Sequence, residues 1–102
     1  MTRHAYVREV RTLYLQLPNT ARCFSRSDRD LAEDLYQRGV SFDSLRSAVL
    51  LAMARRICRN PVSPALTPVR SLHYFLPAID EVIRQPLPAG YLRYLESKIA
   101  QK

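Results

Sequence analysis

The segment from Phe42 to Arg59 would carry apolar side chains around more than half of its circumference if it were helical. Ser41 can cap such a helix, and Asp43 in the first turn would complement the positive end of the helix dipole. Because a helix that is apolar on most sides has to be covered by other elements, we expect it at the centre of the fold. The sequence therefore predicts an all-α bundle around a long central helix.

Further helices are predicted from apolar residues at helical spacing and from residues that begin or end helices. Together with the central helix they make a small bundle of four or five helices. The predicted spans are Arg3 to Leu17, Ser27 to Gly39, Ser71 to the residue before Pro86, and about Ala89 to Ala100. The end of the first span, Thr12 to Leu17, also alternates as a strand would, so a strand is an alternative there.

A proline-rich connector is predicted between the central helix and the fourth helix, over residues 60–69. Its three prolines each lack an amide donor and restrict the residue before them, which excludes regular helix. The whole chain has 102 residues, enough for one helical domain (1–102) that folds without a disulfide or a metal. We therefore expect a single domain with a stiff internal connector.

The chain is expected to be cytoplasmic and not membrane-bound. Its N-terminus lacks the apolar run of a signal peptide, and the longest apolar run is too short to cross a bilayer. In that compartment the two cysteines, Cys23 and Cys58, are expected to be reduced and packed as small apolar residues, with a bridge between them as the less favoured alternative.

Positive charge is the strongest compositional signal. Sixteen Lys and Arg residues oppose nine Asp and Glu, for a formal net charge of +7, and fourteen of the sixteen are Arg. Guanidinium groups bind phosphates through two hydrogen bonds and stack on bases, so this bias favours a nucleic acid as partner, with DNA the first expectation. The alternative is a GC-rich genome that encodes Arg cheaply.

Basic residues concentrate where acidic residues are missing, because no Asp or Glu occurs between Asp43 and Asp80. In this interval His73 stands beside Tyr74 and could stack on a base. A second basic surface is indicated within the first thirty residues, where Arg outnumbers Asp and Glu. The residues predicted to bind nucleic acid are Arg46, Arg55, Arg56, Arg59, Arg70 and His73.

The span from Leu31 to Met53 has the spacing of a helix-turn-helix, in which the second helix lies in the major groove. Gly39 falls in the turn. However, Leu35 occupies a position that this motif keeps small, and the second helix is too apolar to lie exposed. An αα-hairpin is therefore favoured, and a helix-turn-helix transcriptional regulator is an alternative.

The stretch from Val69 to Val82 combines aromatic residues, a proline and paired acids in close order. It resembles a segment in the C-terminal helical domain of DnaD-like primosome and plasmid replication-initiation proteins. The resemblance covers roughly residues 28 to 83 and implies contact with DNA or a helicase during DNA replication or mobile-element DNA transactions. Alternatively, the aromatic residues are simply core residues of a packed helix. The matching positions are Ser71, Tyr74, Phe75 and Ile79.

Catalytic and metal-binding patterns are not found in the sequence. His4 and His73 are far apart and stand at no metal-ligand spacing with a cysteine, and neither a Gly-rich phosphate loop nor a nucleophile elbow occurs. Asp80 and Glu81 would point in different directions on a helix. We therefore expect a binding protein without a cofactor, and not an enzyme. The alternative to a nucleic-acid partner is a larger protein or a second copy, docked on the fourth or fifth helix.

Overall fold

A computed structural model describes residues 2–17, 20, 23–57 and 69–100 of the chain. Within them, five α-helices and one 3₁₀ turn form a helical bundle in which α3 packs against α4 and α5, and α1 packs against α2 and α3. The predicted all-α fold with a central helix is thereby confirmed. The elements are α1 (Arg3–Gln16), α2 (Arg26–Gln37), α3 (Phe42–Ile57), the 3₁₀ turn (Leu72–Phe75), α4 (Leu76–Arg84) and α5 (Ala89–Ala100).

The central helix α3 is buried on most sides, as its composition predicts. Leu45, Ala48 and Met53 are completely shielded from solvent. α4 and α5 both cover this helix and remove its apolar surface from water. This burial stabilises the fold by about 25 cal/mol for each Å² of apolar surface. None of the helices among the described residues combines the length and the apolar character needed to cross a membrane.

The chain at the end of the predicted connector is held by α1 and by Thr20. Val69 is buried and forms an isolated parallel bridge with Thr20, and its carbonyl accepts a 3.4 Å hydrogen bond from the Tyr14 hydroxyl. The Tyr14 ring meets Phe75 of the 3₁₀ turn edge to face, with centroids 6.5 Å apart. Residues 60–68 lie outside the described part of the chain, so the extended connector stays a prediction.

The end of α2 shows why Gly39 ends a helix. Its φ of +82° lies in the left-handed region, where a Cβ would be strained. The Gly39 amide donates to the Tyr36 carbonyl and the Val40 amide to the Leu35 carbonyl, both at 3.1 Å, which is the Schellman pattern. Leu35 and Val40 are both buried, so the turn is closed by apolar packing as well.

Two predictions, one about a helix end and one about a small side chain, are wrong. The N-cap of α2 is Ser25 and not Ser27, because Ser25 stands three residues before Asp28 and the two form a reciprocal capping box. Over Thr12 to Gln16 the predicted helix is confirmed and the strand alternative is wrong, since these residues continue the buried stripe of α1. Cys23 is exposed instead of packed, whereas Cys58 lies outside the described residues.

α5 has the predicted bounds, whereas the predicted fourth helix begins as the 3₁₀ turn and becomes α-helical only at Leu76. Pro77 lies in the first turn of α4, where a missing amide donor is tolerated, and the 3₁₀ turn capped by Ser71 precedes it. In α5, Leu95 is buried and Leu92 partly buried against the core. Tyr91 of the same helix is exposed, and its ring stacks on Tyr94 at the surface.

Tyr6 carries a buried hydroxyl that has no hydrogen-bond partner among the described residues. Only 2% of this residue is exposed, and burial raises the pKa of Tyr6 to about 12. An unsatisfied buried hydroxyl costs about 1–3 kcal/mol. We therefore expect Tyr6→Phe to raise the free energy of unfolding by about 1 kcal/mol in urea titrations.

Tyr14→Phe is the matched control for that prediction, because Tyr14 is equally buried but its hydroxyl donates to Val69. Loss of this hydrogen bond is expected to lower the free energy of unfolding by about 1 kcal/mol. If both variants shift stability in the same direction, the unpartnered Tyr6 hydroxyl does not explain the result.

Candidate nucleic-acid interface

Two of the arginines predicted to bind nucleic acid instead join helices of the bundle. Arg46 of α3 forms an ion pair with Glu96 of α5. Arg55 near the end of α3 donates two hydrogen bonds to Glu81 of α4, Nη1 to Oε2 at 2.8 Å and Nη2 to Oε1 at 2.7 Å. These hydrogen bonds lower the pKa of Glu81, so its carboxylate stays charged and paired. Both cations are therefore compensated within the protein.

Arg56 is the neighbouring arginine on α3, and it lies against an aromatic ring. Its guanidinium carbon is 5.6 Å from the Tyr74 ring centroid, and its Nη1 donates to the Tyr74 hydroxyl at 3.4 Å. This is the geometry of a cation–π contact. The contact connects the end of α3 to the 3₁₀ turn and orients the Arg56 side chain at the surface.

The remaining predicted residues are distributed around the start of the 3₁₀ turn. Arg70 is exposed directly before it, and His73 within it is exposed as well. The His73 Nδ1 is 2.8 Å from the Ser71 hydroxyl oxygen and 3.9 Å from Oδ1 of Asp28. Arg59 lies outside the described residues. The structure therefore does not gather the predicted residues into one unpaired basic patch.

Asp28 is the buried polar centre next to these residues. Its carboxylate accepts four hydrogen bonds: at Oδ2 from the Ser25 amide (2.9 Å) and hydroxyl (3.0 Å), and at Oδ1 from the Leu72 amide (2.9 Å) and Ser71 hydroxyl (3.0 Å). Because the Ser71 proton is directed to Asp28, the His73 Nδ1 is assigned as the donor to Ser71. One carboxylate thus fixes both the start of α2 and the start of the 3₁₀ turn.

The charge of Asp28 is set by two opposing effects. Burial by itself raises the pKa of this carboxyl, but the hydrogen bonds from Ser25, Leu72 and Ser71 outweigh burial and hold the pKa below its ordinary value. Asp28 is therefore ionised and fully hydrogen-bonded at neutral pH. The contact of Asp28 with residues 71 and 72 spans more than forty positions, so no local sequence pattern indicates it.

A cleft lined by several cations lies between α1 and α2. It has a volume of about 780 Å³ and is lined by two arginines from each helix. We call these four residues the arginine cleft: Arg8, Arg11, Arg26 and Arg29. On α1 the two arginines are three residues apart, and on α2 the same spacing recurs, so each helix presents its pair on one face. His4 also lines the cleft.

The four arginines of the arginine cleft outnumber the two acidic residues that line it. Asp30 and Glu33 line the same cleft at i,i+4 spacing from Arg26 and Arg29. Within the described residues, however, the ion pairs involve other arginines and none of these four. All four arginine side chains are exposed. Unpaired guanidinium groups that converge from two helices are suited to bind phosphate groups.

The sequence carried a signal for this site, since the first thirty residues are rich in arginine. The pairing of α1 with α2 was required to bring Arg8 and Arg11 beside Arg26 and Arg29, because fifteen or more positions separate the two pairs. On α3, burial and ion pairing decided which arginines have their positive charge compensated by a carboxylate of another helix. The arginine cleft therefore lies in the second of the two basic regions that the sequence indicates, the first thirty residues.

The helix-turn-helix alternative can be compared with the surroundings of α3. In that motif the second helix would present residues such as Arg46 and Ser47 to bases. Here Arg46 pairs with Glu96, and Ser47 is buried with its hydroxyl donating to the Asp43 carbonyl at 2.8 Å. α4 and α5 cover the helix that would have to enter the groove. These contacts favour the arginine cleft over α3 as the interface.

Metal ligands do not cluster within the described residues, where no group of three His, Cys, Asp or Glu side chains is placed to hold an ion. Comparison of this chain with protein families, with curated proteins and with solved structures gives no match. The resemblance to DnaD-like replication proteins consequently stays a prediction.

Proposed function

We propose that this protein binds nucleic acid through phosphate contacts made by the arginine cleft. The observation that carries the proposal is that four exposed guanidinium groups, none in an ion pair with another described residue, line one cleft between α1 and α2. The net charge of +7 supports it, because a positive field attracts polyanions and raises their association rate. Its role is binding and not catalysis.

The resemblance to DnaD-like proteins suggests the setting of this binding. On that resemblance the nucleic acid would be DNA, bound in the cytoplasm during replication or mobile-element DNA transactions. Arg70 and His73 are exposed beside the 3₁₀ turn and could extend the contact surface beyond the cleft.

A salt series on the wild-type protein tests the proposed function. Phosphate contacts release counterions, so the logarithm of the association constant falls linearly with the logarithm of the salt concentration. With three or four phosphate contacts we expect a slope of roughly −2 to −4 for a labelled oligonucleotide in fluorescence anisotropy. Binding that is absent, or that does not weaken with salt, would contradict the proposal.

A protein partner is the second candidate. It is favoured by Ile83 of α4, a large apolar side chain that is 50% exposed. A chain that docks on a larger protein through Ile83 would be an adaptor or a small subunit of a complex. The same exposed side chain could also mediate self-association. A mass above that of the 11.8 kDa monomer in light scattering, reduced by Ile83→Ser, would support this candidate.

A further inference from the structure

The arginine cleft has the size of a small-ligand site and not of a groove that follows a long polymer. Its volume of about 780 Å³ lies within the range of about 300–1,000 Å³ that is typical of small-ligand sites. Its walls are the helices α1 and α2, and the residues directly before α2, Phe24 and Ser25, also line it. A single nucleotide, and not a length of duplex, matches this volume.

The charges along the cleft are distributed unevenly, because α1 and α2 run in opposite directions. Tyr6 at the start of α1 contacts Tyr36 at the end of α2 with ring centroids 5.3 Å apart, and Tyr14 near the end of α1 contacts Phe24 before α2 at 5.9 Å. Arg11 stands three residues before Tyr14 and therefore lies beside the first turns of α2. Those turns carry the two other arginines of this part, so one end of the cleft is basic.

The basic end of the cleft is short, and carboxylates follow it. The two arginines of α2 are three residues apart, which is about 4.5 Å along the helix axis. Asp30 and Glu33 line the cleft farther along α2, together with Arg8 and His4 of α1. Neither carboxylate forms an ion pair with another described residue. Their charge disfavours a strand whose successive phosphates run along the whole cleft, and it leaves room for the end of a strand.

Phe24 provides an aromatic surface at the basic end. Its side chain lines the cleft and is half-buried, and its ring packs on the buried Tyr14 ring at a tilt of 58°. Because packing on the core holds this ring, it loses little entropy when it stacks on a base. Aromatic rings stack on bases of any sequence. Guanidinium groups for a phosphate and a ring for a base thus lie in one cleft.

We propose that the arginine cleft binds a nucleoside phosphomonoester, supplied by the phosphorylated end of a nucleic-acid strand. This inference rests on the proposed function and names the part of the nucleic acid that enters the cleft. A terminal phosphate carries a charge of about −1.5 to −2 at neutral pH and has three non-bridging oxygens, so it can accept hydrogen bonds from arginines of both helices. Asp30 and Glu33 can accept hydrogen bonds from hydroxyl or amino groups of the same nucleotide.

The experiment compares single strands that differ in their ends. A short oligothymidylate, labelled internally, carries a phosphate at the 5′ end, a phosphate at the 3′ end, or hydroxyls at both ends. The charge-matched control is a hydroxyl-ended strand longer by two nucleotides, because two phosphodiesters add about the same charge as one terminal phosphate. In fluorescence anisotropy at moderate salt, we expect a phosphorylated strand to bind at least about tenfold more tightly than this control.

Arginine variants assign the preference for a phosphorylated end to the cleft. Arg11→Gln combined with Arg29→Gln is expected to reduce the preference to less than about threefold. Arg84→Gln combined with Arg93→Gln removes the same charge from exposed positions on α4 and α5 and should retain the preference. Circular dichroism confirms that each variant is folded. A preference that persists in the cleft variant would place the terminal phosphate elsewhere and overturn the inference.

Carboxylate variants test why an end is preferred over the interior of a strand. Asp30→Asn combined with Glu33→Gln should strengthen binding of the hydroxyl-ended strand more than that of the phosphorylated strand, because the repulsion of internal phosphates is removed. Glu9→Gln combined with Asp80→Asn is the matched control, since both residues are exposed and neither lines the cleft. An equal gain in the two double variants would contradict the role of the carboxylates.

The remaining outcomes separate this inference from the proposed function. Equal binding of the phosphorylated and control strands, with a steep salt dependence, would overturn the terminal nucleotide and leave the cleft as a site for internal phosphates. Absence of binding to every strand would overturn both proposals.

A free nucleoside monophosphate distinguishes the two sources of the ligand. We expect it to displace the phosphorylated strand only far above the strand's dissociation constant, because the other phosphates of the strand add affinity through the net charge of +7. Displacement at that constant itself would identify the free nucleotide as the ligand and overturn the strand end.

Discussion

Replacing Asp28 with Asn is expected to lower the free energy of unfolding by about 3 kcal/mol or more, although the side chain keeps its size. The carboxylate accepts two hydrogen bonds at each oxygen, from Ser25 at one and from Ser71 and Leu72 at the other. An Asn side chain has one acceptor oxygen and one NH₂ group, so it must direct donors at one of these pairs. Buried donors then face donors, and either the capping box with Ser25 or the link between α2 and the 3₁₀ turn is broken.

Urea denaturation of Asp28→Asn measures this loss, with Asp80→Asn as the matched control. Asp80 is an exposed carboxylate on α4, and its replacement is expected to change stability by less than about 0.5 kcal/mol. Should Asp28→Asn fail to fold, Ser71→Ala removes only one of the four hydrogen bonds and is expected to cost about 1 kcal/mol. An Asp28→Asn protein as stable as the control would show that the buried carboxylate is not stabilising.

The pH dependence of stability gives a second readout of the same carboxylate. Because the pKa of Asp28 is lower in the folded protein than in the unfolded chain, its contribution is complete above the unfolded value of about 3.9 and is lost as the pH falls below it. The stability difference between wild type and Asp28→Asn should therefore shrink on acidification below about pH 4. A difference that is constant down to lower pH would contradict the pKa shift.

Removal of three charges from the arginine cleft is expected to weaken binding of a single- or double-stranded oligonucleotide by roughly 10- to 100-fold at moderate salt. The variant combines Arg8→Gln, Arg11→Gln and Arg29→Gln, which keep a long polar side chain on each helix. Arg26 is left in place because it lies in the first turn of α2, where a change of charge would also alter helix stability. The slope of the salt dependence should become less steep by about 2 to 3.

A charge-matched control separates a local site from a general effect of net charge. Arg3→Gln, Arg84→Gln and Arg93→Gln also remove three exposed arginines, and both triple variants go from +7 to +4. Only the cleft variant should lose most of its affinity and salt dependence. If both variants weaken binding equally, the protein attracts nucleic acid through its overall charge, and the arginine cleft is not the binding site.

Most of the helical architecture could be predicted because its determinants are local. The apolar circumference of Phe42 to Ile57 predicts a covered helix, and Gly39 predicts the end of α2, because only a residue without a Cβ adopts a left-handed φ at little cost. The error at Ser27 has a local cause too, since two serines compete for the cap and the spacing from Ser25 to Asp28 completes the capping box.

The interface was harder to predict, because the same arginine can bind a ligand or stabilise the fold. Arg46 and Arg55 stand in an acid-free stretch of sequence, yet Glu96 and Glu81 reach them from helices that are 50 and 26 residues away. A sequence count of charge cannot include partners that only packing brings within hydrogen-bond distance. The tyrosines of α5 show the same limit, since helical spacing places Tyr91 near Leu95 but does not decide which of them is covered.

The amino-acid sequence alone established an all-α chain with a buried central helix and an excess of arginine, because helix periodicity, capping and net charge depend on neighbouring residues or on composition. Tertiary packing decided which charges are compensated and which converge. It placed α4 and α5 on α3, where their glutamates pair with its arginines, and placed α1 on α2, where the arginine cleft forms. Coulombic and hydrogen-bond interactions depend on distance in space, and for these residues that distance is set by the packing of helices and not by separation along the chain.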